Sequence, residues 1–159
     1  MATIDIGPGA TNRSSSSLMN PRTTVDLNNP ANDTGTLDTF EIWAYANMSN
    51  VKIGTFSGSG TTYNDRDYES IGSVTSGSKQ TFTGKNCDVA SGDFLGIYAD
   101  TSSRLELDAD GYSGINIYAG DAFGQGDISY TGISGDAISI YATGATVAAG
   151  NPYYYYLNQ

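Results

Sequence analysis

Two carboxylates in a short acidic run are the residues best suited to hold a metal ion. Asp108 and Asp110 lie in the run Asp108-Ala109-Asp110-Gly111, which ends on a glycine. Ca²⁺ prefers carboxylate and carbonyl oxygens on a sharply turning backbone. A helix-flanked calcium loop also needs a ligand at position five and Glu at position twelve, where this chain has Tyr112 and Ala119. The run therefore predicts a solvated acidic hairpin, with a calcium site at Asp108 and Asp110 as the alternative.

A second acidic cluster spans residues 64–69 and reads Asn-Asp-Arg-Asp-Tyr-Glu. Because Arg66 lies among the carboxylates, the segment is typical of a self-neutralising loop. A cation site is the alternative.

The residues needed for most catalytic sites are scarce in this chain. It has no His and a single Cys, Cys87, so it cannot supply a Ser-His-Asp triad, a Cys-His dyad or a Cys/His zinc site. No pair of carboxylates stands out that could cleave a glycosidic bond. We therefore interpret the chain as non-enzymatic.

Large aromatic residues are the other candidates for ligand contact. Trp43 and Tyr45 share one face of an alternating stretch, and Tyr153-Tyr154-Tyr155-Tyr156 lies near the end of the chain. Flat rings stack on the C–H faces of sugars, so Trp43 and Tyr45 are candidate glycan contacts. The competing interpretation is that these rings belong to the core, where aromatic side chains bury large areas.

Length and charge indicate one acidic domain. The chain has 159 residues, 38% of them hydrophobic, with 7 basic and 17 acidic residues and a net charge of −10. A chain of this length buries roughly two-thirds of its unfolded surface, which is enough for a core without disulfides or a structural metal. Scarce and scattered Lys and Arg argue against nucleic acid and anionic membranes as partners. No window approaches the ~18 apolar residues of a membrane span, so we expect no membrane insertion.

The polar composition favours a protein that works outside a cell. Only 15% of the residues are charged, and Ser, Thr, Asn, Gly and Tyr fill the polar positions. The first residues, Met-Ala-Thr-Ile-Asp-Ile-Gly, do not form the basic and apolar regions of a secretion signal. We expect a virion or extracellular location. Either the chain is numbered from a mature or recombinant start, or it leaves the cell by lysis inside a virus particle.

Apolar residues recur with period two in short runs that are separated by Gly, Ser, Asn and Asp. This pattern predicts an all-β, single-domain antiparallel β-sandwich or jelly roll. The predicted strands are Thr23 to Leu27, Leu37 to Ala46, Val51 to Phe56, Tyr68 to Val74, Lys79 to Thr83, Phe94 to Ala99, Arg104 to Leu107, Ile115 to Ala119 and Ala137 to Ala142.

The two ends differ from the predicted sandwich at residues 23–144. Residues 1–22 read as an N-terminal strand and arm, with a polar stretch at 7–22 that favours an extended arm over a strand. Residues 145–159 form a small-residue linker and a tyrosine-rich tail. We expect the tail to pack as a last strand on its own domain, to contact a neighbouring subunit, or to serve as a stacking platform for a ligand. Our candidate contacts with other subunits are Leu18, Met19, Tyr153, Tyr154, Tyr155, Tyr156 and Leu157.

A short sequence unit occurs twice. Residues 91–99 and 134–142 both begin Ser-Gly-Asp and end Ile-Tyr-Ala. Gly permits the dihedral angles of a turn, and the alternating apolar residues that follow point inward from a strand. We interpret the two copies as equivalent strands of one sandwich, with a duplicated half-domain as the alternative.

Residues 71–84 followed by 89–98 resemble small jelly-roll proteins found among phage and prophage structural genes. In those proteins a V-x-x-G-D-x-x-G-I-Y segment forms a turn and the strand behind it, and here the segment runs from Val89 to Tyr98. The resemblance covers residues 71–99 and 134–142. It implies a virion accessory role in capsid decoration, a head fibre or tail attachment, and it assigns no catalytic residue.

These observations lead to two hypotheses of different class. The first is a structural protein that self-assembles or coats a larger assembly, with copies of itself and a major capsid or tail protein as partners; an extracellular filament subunit is a variant of it. The second is an extracellular glycan-binding module that uses Trp43 and Tyr45, with calcium near Asp108 and Asp110. Neither hypothesis requires another cofactor.

Overall fold

The structure, a computed structural model, describes residues 2–147 and is all-β. Strands hold 67% of the described residues, and every strand pair in this part of the chain is antiparallel. Residues 2–147 contain no helix long and apolar enough to cross a membrane. The predicted all-β class is confirmed.

Thirteen strands make up this part of the chain. They are β1 (Thr3–Ile6), β2 (Ser15–Met19), β3 (Arg22–Asp26), β4 (Gly35–Ala46), β5 (Met48–Ser59), β6 (Thr62–Val74), β7 (Lys79–Phe82), β8 (Cys87–Val89), β9 (Phe94–Ala99), β10 (Ser103–Tyr118), β11 (Asp127–Ser129), β12 (Thr131–Ile138) and β13 (Ile140–Thr146).

The strands join into one continuous sheet. Its order is β1-β13-β4-β10-β3-β9-β5-β6-β11, with β2 and β12 paired to β10, and β7 and β8 paired to β4. The long strand β10 therefore has four partners. Its first part pairs with β2 and β4 and its last part with β3, while β12 follows most of its length.

The main core lies between strands that are far apart in the sheet order. On β4, Phe40, Ile42 and Ala44 are fully buried, as the period-two pattern predicts. They belong to one cluster with Ile53 of β5 and Ile97 of β9. Each fully buried Ile or Phe side chain stabilises the fold by about 1.5–3 kcal/mol relative to an exposed one, so this cluster is a main source of stability.

An aromatic cluster covers part of the other face of the sheet. Phe56 contacts Phe123 and Tyr130, with ring centroids 5.0 and 6.4 Å apart. Gly96 on β9 permits this packing, because a Cβ at that position would lie 2.4 Å from the Phe56 ring. The segment that follows β10 thus returns over β5 and β9 and buries the outer side of those strands.

Several predicted elements differ from the structure. The expected arm at 7–22 is wrong for residues 15–19, because Ser15–Met19 form β2 against β10. The predicted loop at 64–69 is wrong, because these residues lie inside β6. There the Nε of Arg66 lies 2.5 Å from Oδ2 of the buried Asp93. Arg66 therefore neutralises a buried carboxylate outside the cluster, and not the acidic residues within it.

The predicted acidic hairpin at 108–111 is also wrong, since β10 runs through it and unites two predicted strands. β10 advances from Asp108 to Tyr112 while β12 moves only from Ala137 to Gly135. Asp110 has φ 70° within this irregular stretch. Extra residues therefore form bulges where a reversal of the chain was expected.

The repeated unit has the same backbone signature in both copies. Gly92 and Gly135 both have φ 88°, the left-handed region that favours glycine. Ser91-Gly92 forms a turn before β9, whereas Gly135 lies in the bulged part of β12. Leu95, Ile97 and Ala99 of the first copy are fully buried along β9, as predicted. The prediction of two equivalent strands is wrong, because in the second copy Ile138 ends β12 and Ile140 begins β13.

Asp26 is a fully buried carboxyl group at the end of β3. Its oxygens accept N–H bonds from the Asn28 backbone at 2.8 Å, the Asn28 amide at 2.7 Å and the Ile138 backbone at 2.9 Å. Burial outweighs these bonds and raises the pKa of Asp26 from 3.8 to about 6. The folded state therefore holds the proton more tightly than the unfolded state does.

Substitution Asp26→Asn removes this titration. Because the folded pKa is raised, we expect the contribution of Asp26 to be most favourable below about pH 4 and to be lost as the pH rises through about 6. The unfolding free energy of the wild type, relative to Asp26→Asn, should fall by about 3 kcal/mol across this window. Urea denaturation of both proteins over a pH series measures it. A difference that is independent of pH would contradict the prediction.

Candidate functional site

The outer face of β4 carries the aromatic residues that the sequence singled out. Because Phe40, Ile42 and Ala44 point into the core, Trp43 and Tyr45 point away from it. Trp43 is half-buried, while Tyr45 is 55% exposed. The residues proposed for glycan stacking are therefore side by side on the surface, and not in the core.

Neighbouring strands complete this face. β13 places Tyr141 opposite Glu41, and β7 places Lys79 opposite Trp43. Lys79 Nζ lies 3.4 Å from Glu41 Oε1. We call the surface formed by Glu41, Trp43, Tyr45, Lys79 and Tyr141 the aromatic face.

The aromatic face combines flat apolar rings with a few polar groups at its margin. The Tyr141 hydroxyl donates to Asp5 Oδ2 at 3.3 Å on the β1 side. Burial, followed by the nearby Asp5 charge, raises the pKa of Tyr141, so its hydroxyl stays protonated at neutral pH. Such a surface can pack against another protein or stack on a sugar ring, and it has no nucleophile activated by a base.

Asp108 has a different role from the one predicted. Its Oδ2 lies 3.0 Å from Nη1 of Arg13, and its Oδ1 accepts bonds from the Ser14 backbone at 3.0 Å and the Ser14 hydroxyl at 2.8 Å. These bonds, with that from the Ser14 backbone the largest influence, lower the pKa of Asp108. Both carboxylate oxygens therefore have partners within the chain. Asp110 is exposed on the bulge.

Within residues 2–147, no group of three or more His, Cys, Asp or Glu residues is placed to hold a metal ion. Asp108 anchors the N-terminal segment through Arg13 and Ser14.

Arg13 is the residue that makes this anchor. Its side chain is only 3% exposed. Besides Asp108, its guanidinium donates to Ser139 Oγ at 2.7 Å and to the Gly9 carbonyl at 3.0 Å. Its backbone N–H donates to Glu106 at 3.0 Å. One buried cation thus ties the N-terminal segment to β10 and to the junction of β12 and β13.

The remaining predicted contact residues fall into three groups. Leu18 on β2 is 36% exposed and is accessible to a partner. Met19 is fully buried, because alternation along β2 turns it into the main core, so it is a core residue and not a contact residue. Tyr153, Tyr154, Tyr155, Tyr156 and Leu157 lie outside the described residues.

Cys87 lies in β8 and is fully buried. Burial is the main cause that raises the pKa of its thiol to about 12. The thiolate is therefore a negligible species at neutral pH, and the sequence interpretation of Cys87 as a small buried side chain is confirmed.

Sequence reasoning missed Tyr141, Lys79 and Arg13. Tyr141 and Lys79 join the aromatic face only through strand pairing across β4, which connects residues about 40 to 100 positions apart. The Tyr in the repeated Ile-Tyr-Ala ending was the only available signal for Tyr141. Arg13 gave no signal, since it lies in a polar, serine-rich segment.

The chain matches no protein-family model, and no curated protein or solved structure is significantly similar to it.

The buried ion pair can be tested by Arg13→Met, which keeps much of the side-chain volume. We expect a loss of about 3 kcal/mol in unfolding free energy, because Asp108, Ser139 and the Gly9 carbonyl lose a shared partner. Chemical denaturation measures the loss. Arg22→Met is the matched control, since Arg22 makes no ion pair with the described residues, and its effect should stay within about 0.5 kcal/mol. Equal effects of the two substitutions would contradict the anchoring role of Arg13.

Proposed function

We propose that this protein is a non-enzymatic structural protein whose sheet forms a jelly-roll sandwich and that self-assembles or coats a larger extracellular assembly. A phage virion is the assembly we favour, with the protein serving in capsid decoration, a fibre or the tail. The observation that carries the proposal is the aromatic face, on which Tyr45 is 55% exposed beside the half-buried Trp43.

The composition of the aromatic face suits a contact between proteins. Tyr and Trp are enriched at the buried centres of interfaces, where they bring large areas with few rotatable bonds. Most other large side chains of the described strands are buried in the two clusters. A partner that covers Trp43 and Tyr45 would gain apolar burial that the isolated domain lacks.

The charges of the aromatic face also suit contact with a second copy. Glu41 and Lys79 lie 3.4 Å apart with side chains 24% and 45% exposed, so their pairing contributes little within one chain. In a dimer with a two-fold axis, Lys79 of one copy can pair with Glu41 of the other, so the contact needs no charged residue beyond these two.

The edges of the sheet argue against a filament built by strand addition. β1 has four residues and carries Asp5, and the long edge of β6 carries Asp67 and Glu69. Short or charged edges oppose pairing with another chain. The N-terminal strands are already paired within their own sheet. We therefore favour contact through the face over contact through an edge.

The virion assignment is supported by the resemblance of residues 71–99 and 134–142 to phage jelly-roll proteins and by the weakly charged, Ser/Thr/Asn-rich composition. The two Ser-Gly-Asp copies also share their glycine conformation and the burial of the residues that follow. A capsid or tail protein is accordingly the expected partner besides the protein itself.

The same face supports a second candidate function, glycan binding. Two adjacent accessible rings flanked by Glu41, Lys79 and Tyr141 provide both a stacking surface and hydrogen-bonding groups. In a solution of the pure protein, self-assembly covers the aromatic face with a second copy, whereas a glycan-binding module leaves the face exposed.

Tyr45→Asp tests self-assembly. We expect the wild type to be oligomeric and Tyr45→Asp to be monomeric, because a charge at the centre of an apolar contact would have to be desolvated. Light scattering on a size-exclusion column gives the masses. Ser59→Asp adds the same charge on the exposed β5–β6 hairpin and should leave the wild-type mass unchanged.

A wild type that is monomeric at every concentration, or a Tyr45→Asp variant that keeps the wild-type mass, would count against self-assembly through the aromatic face. If the monomeric wild type binds a glycan and Trp43→Ala remains folded but loses that binding, the glycan-binding module is supported in its place.

A further inference from the structure

A groove of about 300 Å³ lies between β10, β12 and the tip of the β5–β6 hairpin. Tyr130 fixes this arrangement, since its backbone N–H donates to the Thr61 carbonyl at 2.7 Å and holds the hairpin tip beside β12. The residues that line the groove are Leu27, Gly60, Thr61, Ser113, Ile115, Asn116, Gly132, Ile133 and Ser134.

Asn116 places an unpartnered polar group in the wall of this groove. The residue is 2% exposed, and its Oδ1 has no hydrogen-bond partner among the described residues. A buried polar atom without a partner costs about 1–3 kcal/mol. Nearly all buried polar groups in folded proteins are paired, so Asn116 Oδ1 has capacity to accept a hydrogen bond from a ligand.

Gly132 keeps the space beside this oxygen open. It pairs with Asn116 across the two strands, and a Cβ on it would lie 3.2 Å from Asn116 Oδ1. Gly132 does not have the positive φ that would require glycine. Its lack of a side chain therefore matters for the groove and not for the backbone conformation.

The chemistry of the lining is neutral. None of the nine lining residues is charged, so neither an anion nor a metal ion finds a counter-charge. The side chains of Thr61, Ser113 and Ser134 contribute hydroxyl groups, and Leu27 and Ile133 contribute apolar surface. A ligand that fits must present several hydroxyl groups and an apolar C–H face.

We propose that the groove binds one ring of a neutral sugar, with the Asn116 amide as its central polar contact. The volume is at the lower end of the range for small-molecule sites and far exceeds the ~30 Å³ that one water occupies in the liquid. The proposal does not depend on self-assembly, because no residue of the aromatic face lines the groove.

The first experiment is amide chemical-shift mapping of the full chain with glucose, galactose, mannose, N-acetylglucosamine, fucose and rhamnose as separate probes. We expect at least one sugar to shift the amides of residues 113–116 and 132–134 in a saturable way. Glycerol and inorganic phosphate are the comparison probes, and neither should do so, since the first lacks a ring and the second is charged. The Tyr45→Asp variant should respond as the wild type does, which separates this site from the aromatic face.

Two substitutions then test the named contacts. Asn116→Leu replaces the amide with an apolar group of similar size, and we expect affinity for the responding sugar to fall about tenfold or more. The melting temperature should rise, because an unpaired buried polar group is removed. Gly132→Ala should also weaken binding by crowding Oδ1, with little effect on the fold.

The proposal is overturned if no sugar shifts these amides, or if Asn116→Leu binds as tightly as the wild type. A fall in the melting temperature of Asn116→Leu, together with no sugar response, would show that the amide is satisfied by ordered water and serves the fold alone. Equal responses to glycerol and to the sugars would also overturn it, by showing that the groove does not recognise a ring.

Discussion

The path of β10 organises the sheet. This strand pairs with β4 and β2 at its beginning and with β3 at its end, so it is shared by the two parts of the sheet that enclose the main core. A straight strand could not serve both sets of partners. The irregular stretch from Asp108 to Ile115, with positive φ at Asp110, Gly111 and Gly114, gives β10 the change of direction that it needs.

Arg13 stabilises this arrangement from the outside. Its guanidinium bonds to Asp108 at the start of the bulged stretch and to Ser139 where β12 gives way to β13. A single buried cation surrounded by oxygen atoms is favourable only when nearly all of its donors are used. The N-terminal segment that carries Arg13 is consequently part of the domain, which limits how far it can reach toward a neighbour.

The two faces of the sheet determine where function can reside. Over β5 and β9 the returning chain covers the outer face with Phe123 and Tyr130, whereas over β4 the rings of Trp43 and Tyr45 remain accessible. Buried polar groups show a similar contrast. Asp26 receives three N–H bonds, while Asn116 Oδ1 receives none from the described residues. Among the described residues, an accessible aromatic face and a buried oxygen without a partner each carry a cost in free energy, and each is a reason to look for a ligand.

Local sequence pattern predicts the all-β class, the strand β9 from Phe94 to Ala99, and the inward-facing alternation on β4, because these depend on period-two burial within a few neighbouring residues. It also indicated that Trp43 and Tyr45 lie opposite the core. Strand β2 was not predicted, because a serine-rich strand has no apolar pattern. β10 was predicted as two separate strands, because a bulge resembles a turn in sequence. The pairing of Asp108 with Arg13, and the groove that Gly132 and Asn116 share, become visible only in the folded chain. Those relations depend on register between distant strands, which local patterns do not encode.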